Sequence, residues 1–236
     1  MDLLENQIVD PINHWYYRHK FMFIKKYIGT PNSVTDIGAG SALFSRELSK
    51  LYPMANFYAH DVNYQNDIEI QEDNMIFSNN SEYRLSDVYL LTDVLEHIEN
   101  DTQFLSKIVQ SAPNDARFII TVPCFNILWS GHDVFLKHFR RYKKNELKQL
   151  VRSSGLKIQY FQYLYFSLFF FALISRKFFS RRRIQSQLKN VNRFYNFILF
   201  FLCKFDHVFR SHTPFGVSCI LIASKTTDKN RIDFDK

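Results

Sequence analysis

One stretch constrains this chain more than any other: Val34-Thr35-Asp36-Ile37-Gly38-Ala39-Gly40-Ser41-Ala42-Leu43-Phe44. It reads as a short buried strand, a glycine turn and the start of a helix. Two glycines spaced two apart permit a tight turn and let backbone approach a ligand closely, because neither carries a Cβ. The N–H groups at the following helix start favour an electron-rich or anionic ligand group. Asp36 places a carboxylate beside the turn.

The surrounding pattern supports this reading. Strands are expected at 33–37, 56–60, 75–77, 88–91, 117–122, 156–166 and 217–224, with helices between most of them. The first helix is expected to open at Asp10-Pro11 and stop at Gly29, and the second to run from Ser41 to just before Pro53. Residues 62–73 are polar and poorly periodic. Val88-Tyr89-Leu90-Leu91 is a continuous apolar run, suited to a parallel strand covered on both faces. The expected fold is therefore α/β, a doubly wound and mostly parallel seven-stranded sheet, with its ligand at the carboxyl ends of the strands. The chain of 236 residues reads as a single domain, residues 1–236, with a helical insertion at 167–215 before the last strand.

Three acids end strands in order: Asp36, Asp61 and Asp93. Asp61 lies 23 positions beyond Gly38, the distance at which a βαβ unit returns a carboxylate to a bound ribose. A dinucleotide fingerprint needs glycine at position 43, where this chain has Leu43, so the NAD reading is weakened.

Together, Asp36-Ile37-Gly38-Ala39-Gly40, Asp61, and Leu91-Thr92-Asp93-Val94-Leu95-Glu96-His97-Ile98 resemble the class I S-adenosylmethionine-dependent methyltransferases. Thr121-Val122-Pro123 and the helix between Lys144 and Gly155 extend the resemblance over residues 12–166 and the last strand. Its nearest flavour is the small-molecule group that includes quinone-biosynthesis and glycan-associated members. The resemblance implies S-adenosyl-L-methionine as cofactor. It gives Gly38 and Gly40 the approach to the methionyl part, and gives Asp61 the ribose hydroxyls. Asp36 would order the loop or bind the cofactor amine through water, and Asp93, Val94, Leu95 and Glu96 would wall the methyl group. Asn79 stands where the family often places an acid for the adenine amino group.

An oxygen acceptor usually needs a general base, and histidine suits neutral pH. The candidates are His97, just past strand four, and His132 and His138 in the loop after strand five. Arg140 or Arg141 offers an anion contact instead. Asp133 is the only carboxylate near the His132–His138 pair, so the expected metal set is none.

The net charge of +7 is local. Residues 167–215 hold nine basic residues, among them Arg176 and Arg181-Arg182-Arg183, against Asp206 alone, which leaves the rest of the chain at −1. Leu164–Ile174 and Phe194–Cys203 are intensely apolar runs, both shorter than the roughly 18 residues that span a bilayer. Apolar helices flanked by cations suit an anionic membrane surface, packing onto the sheet, or a dimer contact. Aromatic residues and cations fall in separate blocks rather than interleaved, which disfavours nucleic acid as a partner. Three scattered cysteines and an acidic, uncleaved-looking start point to a cytoplasmic protein, peripheral on the inner face of the membrane if the insertion binds lipid.

The expected activity is methylation of an oxygen on a lipid-linked, isoprenoid or glycan-type small molecule. An RNA methyltransferase and a membrane-surface scaffold without turnover are the alternatives. Acceptor identity and oligomeric state are left open.

Overall fold

The computed structural model describes residues 8–64, 70–80, 82–176, 191–209 and 213–225. Along the chain lie α1 (Trp15–Ile28), β1 (Ser33–Ile37), α2 (Leu43–Leu51), β2 (Asn56–His60), β3 (Ile70–Glu72), β4 (Met75–Ser78) and β5 (Val88–Thr92). There follow α3 (Asp101–Ser111), β6 (Arg117–Pro123), α4 (Gly131–Phe135), α5 (Lys144–Ser153), β7 (Leu156–Leu164), α6 (Phe169–Ser175), α7 (Arg193–Phe209) and β8 (Ser218–Lys225).

All seven expected strands are present in one sheet of order β3-β4-β2-β1-β5-β6-β8-β7. The eighth, β3, is a three-residue edge strand antiparallel to β4, formed within the polar stretch. β4, β2, β1, β5 and β6 run parallel, while β8 lies antiparallel between β6 and β7. The order reverses at β1, next to β5, so the carboxyl ends of these two strands open the crevice where α/β sheets bind ligands. Successive β5 residues serve opposite faces: Leu90 packs with Phe23, Ile24 and Ile220, whereas Tyr89 and Leu91 pack with Leu105, Ile108 and Val151. Both faces are covered, as the apolar run requires.

Two helix starts differ from expectation. Asp10-Pro11 forms a turn in which the Asp10 carbonyl accepts from His14 N–H at 3.1 Å. His14 is extended, with ψ of 132°, and α1 starts at Trp15. Ala42 precedes α2 in a left-handed conformation, with φ of 57°, so that helix starts at Leu43 rather than Ser41. Strand β7 stops at Leu164 because Tyr165 turns to a φ of 59°.

The insertion is tied to the body by one face. Asp206 on α7, fully buried, accepts from Phe166 N–H at 3.0 Å and from the Ser167 hydroxyl at 3.0 Å. Asn196 accepts from Trp15 N–H at 2.7 Å, and the Arg18 guanidinium lies 4.1 Å over the Phe200 ring. The opposite face leaves Phe194, Phe197 and Phe201 exposed, and on α6 Phe170, Phe171 and Ile174 as well. No described helix is long and apolar enough to cross a membrane. Arg181, Arg182 and Arg183 lie outside the described residues. At the insertion's exit, a Cβ on Gly216 would meet the Leu164 carbonyl oxygen at 2.3 Å, so only glycine fits against the end of β7.

Candidate active site

The glycine turn alternates in hand. Gly38, Gly40 and Ala42 have φ of 66°, 59° and 57°, with the intervening residues on the ordinary side. Ala39 N–H donates to the His60 carbonyl at 2.9 Å, which ties the turn to β2. Asp36 is buried, and its Oδ2 accepts from the Ser45 hydroxyl at 2.5 Å, joining β1 to α2. Asp61 accepts through Oδ2 from Gly40 N–H at 2.8 Å, and through Oδ1 from Asn63 N and Nδ2, both at 2.9 Å. A carboxylate offers about four acceptor positions, so one on Asp61 is left for a ligand hydroxyl. The turn and the carboxylate fit a nucleoside-bearing cofactor. Asn79 follows β4, half-buried, at the far side of this half of the sheet.

A second centre forms on Asp93, held at a φ of 55°. Its Oδ1 accepts from the Thr121 hydroxyl at 3.0 Å. Its Oδ2 receives the Lys20 ammonium and, at 3.4 Å, the Tyr16 hydroxyl. Lys20 is fully buried in α1. Burial alone would depress its pKa, but the adjoining Asp93 outweighs that and holds it above the usual lysine value. Burial, reinforced by Asp93, pushes the Tyr16 phenol up to about 12. Tyr165 stacks on Tyr16 with ring centroids 4.9 Å apart and donates to the Tyr16 carbonyl at 2.7 Å. Val94 is buried behind Asp93 in the core shared with α3. Sequence reading missed Lys20. The available signal was its place four residues after Tyr16, on the same face of an aromatic-rich helix.

The histidines gather just beyond. The His97 and His138 rings meet edge to face, with centroids 4.6 Å apart. His138 Nδ1 lies 3.1 Å from Asp133 Oδ1, which also takes Arg141 Nε at 2.6 Å, while Ser130 N–H donates to Asp133 Oδ2 at 2.9 Å. These hydrogen bonds and Arg141 overcome the effect of burial and hold the Asp133 carboxyl well below the usual range. Burial, helped by His138, lowers His97 to about 4; burial and Arg176 lower His132 to about 3. Both are neutral at pH 7. Glu96 is fully buried, and burial, with Asp93 close by, raises its carboxyl well above the ordinary value.

The two arginines expected to offer an anion contact are committed within the protein. Arg141 is buried on Asp133 and the Cys124 carbonyl, and Arg140 pairs with Asp101 at 2.6 Å and with the Glu99 carbonyl at 2.5 Å. A short loop that must return to the sheet places its guanidinium groups over buried acids, partners that no local spacing signals.

A cavity of about 350 Å³ unites these groups. Ala39, Leu43 and Phe44 border it on the side of the glycine turn, and Asp93, Glu96, His97, His132 and His138 form its polar wall. Tyr16, Tyr165, Leu168 and Phe171 supply the aromatic and apolar cover. Gly38, Gly40, Asp61 and Asn79 stand outside its lining, in the glycine turn and just beyond β2 and β4.

The family follows from comparison with known proteins. A family model described as "Methyltransferase domain" matches residues 13–192. The chain belongs to this methyltransferase family. Its members are S-adenosylmethionine-dependent enzymes of class I, in agreement with the resemblance carried by the motifs. No curated protein sequence matches the chain. Among solved structures, a chain from the complex of the Haloferax volcanii Trm112 methyltransferase activator is 13% identical, with a TM-score of 0.55, covering 89% of this methyltransferase and 90% of that chain. The plantazolicin methyltransferase BamL, solved with a triazolic desmethylPZN analog and SAH, is 14% identical at a TM-score of 0.51, with coverage of 92% and 85%. The Burkholderia thailandensis 1,6-didemethyltoxoflavin-N1-methyltransferase is 15% identical at 0.51, with coverage of 89% and 78%. At these identities the likeness is one of fold.

Proposed function

We propose that this methyltransferase methylates an oxygen of a lipid-linked, isoprenoid or glycan-type small molecule, and that its cofactor and acceptor meet at Asp93. The observation that carries this reading is the cavity between the glycine turn and the three histidines, apolar on its cover and polar on one wall. S-adenosylmethionine supplies a methyl group already activated as a sulfonium. Gly38 and Gly40 give the backbone its approach to the methionyl part, Asp61 takes the ribose hydroxyls, and Asn79 takes the adenine amino group through its amide oxygen. Asp36 fixes the loop through Ser45. Asp93 and Val94 shape the wall beside the reacting centre.

On the acceptor side, the chain's task is chiefly to position an oxygen in line, an effect worth roughly 7–11 kcal/mol for well-oriented groups. His97 and His132 present neutral rings to the cavity, able to accept the proton of a hydroxyl, and His138 lines the same wall. The lowered basicity of His97 and His132 makes them weak bases at neutral pH, so the acceptor hydroxyl must be acidified by its surroundings. The exposed phenylalanines of α6 and α7 adjoin the cavity cover, and with Arg193 and Lys204 they suit a helix resting on an anionic membrane surface. A lipid-linked acceptor would reach the cavity from that side.

Calorimetric titration with S-adenosylmethionine and S-adenosylhomocysteine tests the cofactor half. Wild type is expected to bind both, and Asp61→Ala to bind about 100-fold more weakly, the loss of hydrogen bonds to a charged group. Absence of binding to wild type refutes the assignment. Methyl transfer to a polyprenylated phenol, compared with its chain-free phenol, tests the acceptor half; equal turnover of the two would remove the lipid link.

A further inference from the structure

The polar wall of the cavity holds a group that methyl transfer by positioning does not use. Glu96 is fully buried, it faces the cavity, and among the described residues neither of its oxygens has a hydrogen-bond partner. Its neighbours' charges are already matched: Lys20 pairs with Asp93, and Arg141 with Asp133. A carboxylate taken out of water with no partner of its own is strongly disfavoured, so the site needs a cation or a proton.

Two imidazoles stand beside it. One ligating atom from each of Glu96, His97 and His138 can be chosen so that all lie within 4.8 Å of one another, the spacing of groups around a single ion. His97 Nε2 is buried and has no hydrogen-bond partner among the described residues. His138 is held through Nδ1 by Asp133, leaving Nε2 for the cavity side. Asp133 is itself fixed by Arg141 and by Ser130 N–H. A carboxylate that orients a histidine through its second nitrogen is the usual support behind a metal-ligating imidazole. The two loops are also joined directly, by Phe139 N–H donating to the Glu96 carbonyl at 2.8 Å.

We propose that Glu96, His97 and His138 bind a divalent transition-metal ion whose open coordination positions face the acceptor cavity. Two imidazoles and one carboxylate suit Zn²⁺, Mn²⁺, Fe²⁺ or Co²⁺ rather than Ca²⁺, which takes oxygen ligands. The ion binds the acceptor's hydroxyl oxygen. The O–H bond breaks, the electron pair remains on the oxygen bound to the ion, and the proton passes to water. Such an ion acidifies the hydroxyl it binds, as divalent metals do for bound water. In this arrangement His97 and His138 are ligands, and Asp133 is a positioning residue. The sequence concealed the set because Glu96 and His97 stand 42 and 41 residues before His138.

This inference deepens the proposed acceptor chemistry and rests on it, so its test reads metal and cofactor separately. The chelator-treated full-length chain is titrated with CoCl2 and followed by visible absorption, and then titrated with S-adenosylhomocysteine in the calorimeter. Wild type is expected to take up one equivalent of Co²⁺, with d–d bands characteristic of nitrogen and oxygen ligation. Glu96→Gln, which preserves shape, and His138→Ala are each expected to lose at least tenfold in Co²⁺ affinity while retaining S-adenosylhomocysteine binding. Asp133→Asn should weaken Co²⁺ binding by 10- to 100-fold, the range for a supporting carboxylate, and Asp61→Ala should leave it unchanged. Failure of wild type to bind Co²⁺, or wild-type affinity in Glu96→Gln, overturns the metal site, and Glu96 is then a neutral buried acid. Co²⁺ binding without S-adenosylhomocysteine binding would instead overturn the cofactor half, leaving the metal site standing.

Discussion

The two halves of the crevice are built on different plans. Around β1 and β2 the proposed cofactor side is assembled from neighbours in sequence: Asp36, Gly38, Gly40 and Ser45 fall within ten residues, and Asp61 follows one βαβ unit later. The proposed acceptor side draws Tyr16 and Lys20 from the first helix, Glu96 and His97 from beyond β5, His138 from beyond β6, and Tyr165 to Phe171 from beyond β7. Hydrogen bonds to backbone dominate the first half; side-chain ion pairs and ring contacts dominate the second. Local turn chemistry therefore sets the cofactor side, while the acceptor side depends on the whole tertiary fold.

The sharpest way to break this contrast is Lys20→Met. Removing one partner of a fully buried ion pair typically costs 3–5 kcal/mol; Lys20 is buried but the Asp93 side chain is 29% exposed, so the low end applies, and Asp93 would keep Thr121 and Tyr16. Urea unfolding should show a loss of about 3 kcal/mol, with methyl transfer falling further than S-adenosylhomocysteine affinity. Equal losses in both would mean the two halves are not separable. Next in size is Ser45→Ala, which withdraws a hydroxyl from the buried Asp36 carboxylate. A cost of about 2 kcal/mol is expected, with acceptor KM unchanged; a large rise in acceptor KM would contradict the division.

The histidines give a smaller effect that depends on pH. His97 titrates near 4 in the folded chain against about 6.5 unfolded. The unfolded chain thus takes the proton first, and the stability this residue contributes is present above about pH 6.5 and is lost as the pH falls toward 4. The slope is at most about 1.4 kcal/mol per pH unit from His97. Comparing urea midpoints of wild type and His97→Gln between pH 7 and 4.5 checks this, and parallel curves would refute it. The smallest effect on stability belongs to Phe197→Ser and Phe201→Ser, expected within about 0.5 kcal/mol because both rings are exposed. The pair should nonetheless reduce co-sedimentation with anionic vesicles several-fold. Unchanged sedimentation would leave the exposed face without a membrane role.

This division also explains what could be read before the structure. The parallel strands announced themselves through apolar runs, and Gly38, Gly40 and Asp61 through spacing, because a βαβ unit is a local object. Helix starts were less legible: Ala42 adopts a left-handed conformation that composition does not forecast. The roles of Lys20, Asp133 and Arg141 were hidden, since each is defined by a partner brought near by tertiary packing. Arg140 and Arg141 looked like free cations in sequence, but both are committed to buried or partly buried acids. Of the apolar run at 194–203, one face packs on α1 and the other is exposed, and the sequence pattern alone did not distinguish the two faces.

The close fit of Gly216 against Leu164 carries a consequence for how such a protein diversifies. Leu164 and Ser218 are directly paired in neighbouring antiparallel strands, so the whole segment between them leaves and re-enters the sheet at one point. A loop whose ends are already pinned gains only about 0.6 kcal/mol of closure cost when its length doubles. The segment that supplies Leu168, Phe171 and Leu199 to the acceptor cavity can thus lengthen, shorten or be exchanged without shifting β1, β2 or the turn between them. Under the proposed function, substrate range is free to drift on this graft while the methyl-donor machinery stays unaltered beneath it.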